Sequence, residues 1–470
     1  MGLGIIAGLK FIAPALLYAS TLVVAILCLS GRVRIGLYFL IPLYPLQNVV
    51  MKLHPFPLGK DLNDILLICM LIGWALSASM RREKFNQRTA YTGLLILTGL
   101  YTYFALWKGS LFLGAELPFN IHDPRVQAWK NYLTFPLLFF MVLNNIKNRK
   151  HVTWMLGALM ASMFLMDYYT VDQIRNAGSI ESRTRFSGTF SWLGPNEVAA
   201  FYSSYTFILI ALFFYIKTKW MRLATLALSL MNTYCVLFLY SRGAYVAFGA
   251  GMALLALFRK RWLLIPLIVL ALNWQTLLPQ SVLERINQTQ DEYGQLDASV
   301  EKRLEMWNQS MLLFQYDPIF GSGFNIFPHL GFALGDTHNI YLKFLAEQGL
   351  IGFSLLFILL IMSMRSGWKL FRGAKDPLLK ALGLGFFLCT VSLIIGNFFG
   401  DRWTHLPLGA FFWVLLGMVE RGRIIIAQEE KEEKEGKSPD LSNVMKQEAK
   451  KRIVKPWNTA VIERKQDLLS

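Results

Sequence analysis

Three cationic side chains, Arg242, Arg303 and His338, stand where an otherwise apolar chain interrupts itself. A guanidinium offers a planar fork of donors that binds phosphate oxygens two at a time. An imidazole, with an ordinary pKa near 6.5, can take a proton at neutral pH. The arginines therefore suit a phosphate ligand. Arg303 falls within a stripe of Val300, Leu304, Trp307, Met311 and Phe314 that recurs at helical spacing. Asp317-Pro318 ends that helix, because the residue before proline disfavours helical angles. After Gly321 and Gly323, Thr337 is placed to cap a helix opening at His338. The plainer alternative is that Arg303 snorkels to headgroups and His338 satisfies a helix end.

These residues are carried by membrane-type elements. The 470 residues are 54% hydrophobic and 16% charged, with a mean hydropathy of +0.41, which excludes an ordinary soluble globular class. Crossing about 30 Å of hydrocarbon takes roughly 20 apolar residues per helix. Candidate spans read at 11–30, 35–51, 62–80, 89–107, 129–146, 151–170, 196–216, 221–241, 243–258, 261–278, 339–364, 381–399 and 405–420. The expected fold is therefore all-α and polytopic, with 12 or 13 transmembrane helices. It divides into N-terminal helices (1–170), a core (171–420) containing the large loop 279–337, and a charged cytoplasmic tail (421–470). The first apolar run reads as a retained span.

The net charge of +17 does not indicate nucleic acid. The basic residues sit in short links, at Arg81 to Arg88, Lys147 to Lys150, Lys217 to Arg222, Arg259 to Arg261 and Arg365 to Lys380. That is the positive-inside pattern of cytoplasmic links. Residues 108–128, 171–195, 279–337 and the Asp401–His405 turn then face outward. Arg242 stands out in this frame. The segment Ala244–Phe258 rises only about 22 Å at 1.5 Å per residue, which places the Ser241-Arg242-Gly243 turn below the outer surface. A charge at that depth costs at least about 2–3 kcal/mol unless it is paired or wet, and is functional by default.

A second basic loop, Arg183 to Phe190, leads into Gly194-Pro195-Asn196-Glu197 at a helix start, a setting that suits an anion. Glu347 is nine residues from His338, on the opposite helix face, so no His–Glu dyad is expected; Lys343 and Glu347 can pair with each other. Tyr341, Leu342 and Leu345 lie on the His338 side. Cys28, Cys69, Cys235 and Cys389 sit in apolar runs without metal-ligand spacing. DxD, HExxH, Walker and nucleophile-elbow motifs are absent, so no cofactor and no metal are expected.

Five pieces carry a resemblance: RFSGTFSWLGPNE (185–197), SRGAY (241–245), KRLEMW (302–307), GSGFNIF (321–327) and THNIYLKFLAEQGLIG (337–352). In order and placement they resemble the O-antigen ligase and polymerase superfamily, whose core is called the Wzy_C region. The likeness covers about 185–400. It implies a metal-independent GT-C-type glycosyltransferase in the inner membrane, with its active site facing the periplasm. The implied donor is a glycan on undecaprenyl diphosphate, and the implied acceptor is lipid A–core or another glycan. The resemblance implies that Arg242 and Arg303 bind the diphosphate and that His338 activates or positions the acceptor. Arg185, with less exact matching, joins Tyr341 and Trp307 as substrate-binding candidates. Polysaccharide polymerase and protein O-oligosaccharyltransferase share the core and remain open. A transporter of lipid-linked sugars is the reading from another class; it would bring charges near the bilayer midplane and two related halves with broken helices.

Overall fold

In the computed structural model the regular structure is all helix, with no strand, among the described residues, which are 2–51, 53, 61–82, 85–176, 188–190, 193–287, 298–331 and 335–435. The helices are α1 (Gly2–Leu29), α2 (Val33–Leu40), α3 (Gln47–Val50), α4 (Leu62–Met80), α5 (Ala90–Phe112), α6 (Pro124–Asn145), α7 (Arg149–Asn176), α8 (Pro195–Tyr215) and α9 (Lys219–Phe238). They continue as α10 (Arg242–Phe258), α11 (Leu264–Leu272), α12 (Trp274–Leu277), α13 (Gln280–Asn287), α14 (Ala298–Tyr316), α15 (Ile340–Gly373), α16 (Pro377–Gly396) and α17 (Leu406–Lys434). Seven are long and apolar enough to cross a membrane, and Val33–Leu43, Arg242–Phe258 and Arg261–Leu272 are shorter apolar pieces. Every expected span coincides with helix. Two of them, 35–51 and 261–278, are broken up: Pro42 and Pro45 follow α2, and Asn273 at φ −121° and ψ 28° ends α11.

The chain forms two compact units, residues 1–422 and 423–470. In the second, the described residues are the last turns of α17, rich in Glu and Lys. In the first, α16 packs on α8, α15 and α10, while α8 also packs on α9. Glycine allows that closeness: a Cβ on Gly383 of α16 would lie 2.4 Å from the Phe371 nitrogen of α15. The N-termini of α8, α10 and α15 and the C-terminus of α16 gather at one end. At their other ends Arg259 lies over the rings of Tyr215 and Phe371, and Lys380 over Phe371.

α15 is not one continuous helix, a break the sequence reading did not foresee. Gly349 has φ 62° and ψ −165° in its middle. The backbone groups freed there are taken up by the 318–323 segment. Ser322 N donates to Ala346 O (2.8 Å) and Gly323 N to Glu347 O (2.8 Å), while Leu350 N donates to Pro318 O (2.8 Å). The Tyr101 hydroxyl of α5 closes the account on Gln348 O at 2.6 Å. Gly321 and Gly349 touch backbone to backbone, since a Cβ on either would fall 2.3–2.4 Å from the other segment. An ion pair between Lys108 and Asp317 fixes the same segment to α5.

Candidate functional site

Five segments converge: the starts of α8, α10 and α15, the turn after α16, and α14. Ser241 precedes α10 and Arg242 is its first residue, beside Gly243, where a Cβ would meet Phe399 at 2.6 Å. A cation at a helix N-terminus opposes the helix dipole, so Arg242 is a position an anion would relieve. Arg402, in the turn after α16, is buried; its guanidinium lies over Gly400, and its backbone N–H is held by Asn397 Oδ1 at 2.9 Å. Its Nη1 pairs with Glu197 Oε1 of the first turn of α8 at 2.5 Å, and its Nε is buried without a hydrogen-bond partner among the described residues.

Arg303 joins these from α14. Its face is not the expected stripe, because Leu304 and Met311 are exposed (42% and 38%) while Met306 and Ser310 are buried at 1%. The helix is turned so that Arg303 and Trp307 are half-buried on its inner side. Contact with other segments, and not the apolar stripe, sets which face of this loop helix is covered. Burial lowers the pKa of Arg303, and the nearby charges of Arg402, Arg242 and Arg285 lower it further, against Glu197. The cluster therefore concentrates mutually repelling cations, as an anion site does.

His338 stands beside them with φ 50°, a left-handed conformation rare outside glycine. The expected cap is corrected here. Asn339, not Thr337, caps α15, accepting from Tyr341 N (3.0 Å) and Leu342 N (3.3 Å), and the helix opens at Ile340. Thr337 instead ties the turn, its Oγ1 accepting from Asn339 N at 3.1 Å and donating to Asn339 O at 2.7 Å. Trp307 Nε1 donates to Thr337 O at 3.1 Å, so the Arg303 helix grips the histidine's turn directly. Burial lowers the pKa of His338; Asp336 opposes this, Arg303 and Arg402 add to it, and Glu197 opposes it. Together these effects favour the neutral imidazole, the form that can accept a proton.

Tyr341 is placed elsewhere. Its hydroxyl donates to Ile394 O at 2.7 Å and its ring lies 4.5 Å from that of Phe398, so its contacts are with the end of α16. Lys343 does not pair with Glu347: it bonds Asp401 at 2.8 Å and approaches Asp336 at 3.6 Å, tying the turn before His338 to the turn bearing Arg402. Arg185 lies outside the described residues. Arg285 and Arg402 were not singled out from sequence, and Glu197 was named only as part of a helix start. Arg402 carried the same signal as Arg242, a basic residue in an outward turn. Among the described residues, no group of three His, Cys, Asp or Glu side chains is placed to hold a metal ion.

Residues 224–357 match the family described as O-antigen ligase, Wzy_C. This region belongs to the O-antigen ligase superfamily. The match contains Arg242, Arg285, Arg303 and His338, but neither Glu197 nor Arg402, which the fold brings in from either side. No curated protein matches the chain.

Proposed function

We propose that the chain is a periplasm-facing glycosyltransferase that moves a glycan from undecaprenyl diphosphate to an acceptor hydroxyl, without a metal, as an O-antigen ligase acting on lipid A–core. The observation that carries this reading is the meeting of Arg242, Arg303 and a strained His338, all within the Wzy_C match, with Arg402 from outside it. The acceptor oxygen attacks the anomeric carbon and its proton passes to His338. The bond between the anomeric carbon and the phosphate oxygen breaks, and the electron pair leaves on the lipid diphosphate. Negative charge grows there, where preplaced guanidinium groups are most effective. The left-handed backbone at His338 supports this, since strain of about 1–3 kcal/mol is typically kept where function requires it.

The break in α15 is the feature that would favour transport. Its freed backbone groups are nevertheless bonded to the 318–323 segment and Tyr101, which supports a fixed scaffold. The test is transfer by the purified protein from undecaprenyl-diphosphate-linked glycan, with EDTA present and lipid A–core supplied or withheld. Product that requires lipid A–core and drops roughly 10²–10³-fold in Arg303→Ala is expected. Longer lipid-linked chains without lipid A–core make the protein a polymerase, and no transfer in either case overturns the reading.

A further inference from the structure

Beside the arginine cluster lies a cavity of about 390 Å³ that uses the same two turns but none of the arginines. Gly335 and Asp336 come from the turn leading to His338, and Thr404 and His405 from the turn bearing Arg402. The opposite wall is built by Gln47, Asn63, Asp64, Ala128 and Asn131, from the N-terminal half of the chain. The volume falls in the range of small-molecule sites, ~300–1,000 Å³.

Its chemistry differs from that of the cluster. Four carboxylates line it, those of Asp61, Asp64, Asp336 and Glu347, against two cationic or titratable donors, Lys343 and His405. Lys343 already serves Asp401 and Asp336, and Asp64 holds Lys130 at 2.9 Å. Gln47 Oε1 and Asn63 Oδ1 are buried acceptors without a hydrogen-bond partner among the described residues. Both belong to side chains that line the cavity, and with the four carboxylates they make its polar wall rich in acceptors. A phosphate or carboxylate would meet carboxylates, and an apolar ligand would leave the acceptors unmet. A ring carrying several hydroxyls or an amine satisfies them, while Tyr132, Phe324 and Phe344 supply apolar wall for its C–H faces.

We propose that this cavity is a carbohydrate subsite that takes a neutral or amino sugar of one of the two glycan substrates and delivers it to His338. This rests on the glycan-transfer reading above. It divides recognition between two neighbouring surfaces, guanidinium groups for the diphosphate and acceptor oxygens for sugar hydroxyls.

The experiment uses the full chain in lipid nanodiscs. Two lipid-free probes, the core oligosaccharide released from lipid A and the glycan released from the lipid-linked donor, are tested by saturation-transfer difference NMR. Ala128→Trp fills the cavity and Asn63→Leu removes one unmet acceptor. Binding of sugar-free undecaprenyl diphosphate is measured on each preparation, reporting on the arginines and on folding. The expected result is transfer to one oligosaccharide in the wild type, at least tenfold weaker in both variants, with undecaprenyl diphosphate binding unchanged. A core signal makes it an acceptor subsite and a donor-glycan signal a donor subsite. No transfer to either probe, or transfer equal in all three proteins, overturns the proposal. Failure of the wild type to bind undecaprenyl diphosphate overturns the reading of the arginines, and the oligosaccharide arm still decides the cavity.

Discussion

Arg402→Ala tests whether the arginines act as one anion site. Arg402 and Glu197 are paired with side chains only 7% and 16% exposed, 205 residues apart in sequence. Any diphosphate close enough to feel one feels the other. At an effective dielectric near 20, a unit charge about 4–8 Å from the leaving group contributes roughly 2–4 kcal/mol. Removing Arg402 loses that term, while the Glu197 carboxylate, which repels the same anion by about 2 kcal/mol at the longer distance, stays in place. The loss of about 2–4 kcal/mol corresponds to roughly 30- to 10³-fold in kcat/KM. Adding Glu197→Gln removes the repulsion, so the double variant recovers about 2 kcal/mol, near 30-fold, over Arg402→Ala.

The assay is a double-mutant cycle on initial rates of transfer from a fluorescent undecaprenyl-diphosphate-linked glycan, with all four proteins checked for the same elution profile. A double variant no faster than Arg402→Ala would show that Glu197 does not see the donor. A single variant within tenfold of wild type would remove Arg402 from the site altogether.

Three further outcomes follow from the geometry. Lys343→Met leaves Asp401 charged and 2% exposed, so unfolding stability falls by about 3–5 kcal/mol and Lys343→Met/Asp401→Asn restores much of it; equal thermal midpoints for wild type and Lys343→Met would contradict this. Gly349→Ala puts a Cβ 2.3 Å from Ile319 O at φ 62° and should abolish recovery of folded protein after detergent extraction, whereas Gly157→Ala, with nothing within 4 Å, should be recovered like wild type. The lowered pKa of His338 places the acid limb of kcat/KM below pH 6.5; Arg303→Lys, which keeps the charge, should leave that limb in place, while Asp336→Asn removes a group that raises the pKa and should move it lower, and an upward move in Asp336→Asn would contradict the electrostatics.

Much of the architecture was legible because hydropathy depends on local composition: the expected spans fall on helical segments, although 35–51 and 261–278 are in pieces and 339–364 is interrupted at Gly349. Arg242 drew notice as a charge where a short apolar run leaves little room for it, and Arg303 as a charge within an apolar helical stripe. What sequence could not show depends on contacts between distant segments. The sequence Thr337-His338-Asn339 offers two capping residues, and the Trp307 bond to Thr337 O accompanies the choice of Asn339. Gly349 reads as a tolerated helix glycine until the 318–323 segment is seen to occupy its neighbours' hydrogen bonds. Glu197 and Arg402 acquire meaning only as a pair.

The locked break and the site are one construction. Splitting α15 at Gly349 makes Ile340–Gln348 a short helix of its own, whose N-terminal turn carries His338 and whose Lys343 reaches Asp401, beside Arg402. Its other end is sewn to Pro318–Gly323, the segment that directly follows α14 and Arg303. The histidine turn is thus fixed from both sides, by Trp307 above and by the 318–323 segment below, and a short element so held cannot drift relative to the arginines as a long flexible helix could. Placement within a few tenths of an ångström is what electrostatic stabilisation of a leaving group demands. A continuous α15 would satisfy the membrane equally well but would lack these cross-connections at its middle. The glycines at 321, 323 and 349 are therefore part of the catalytic geometry we propose, although none of them need touch a substrate.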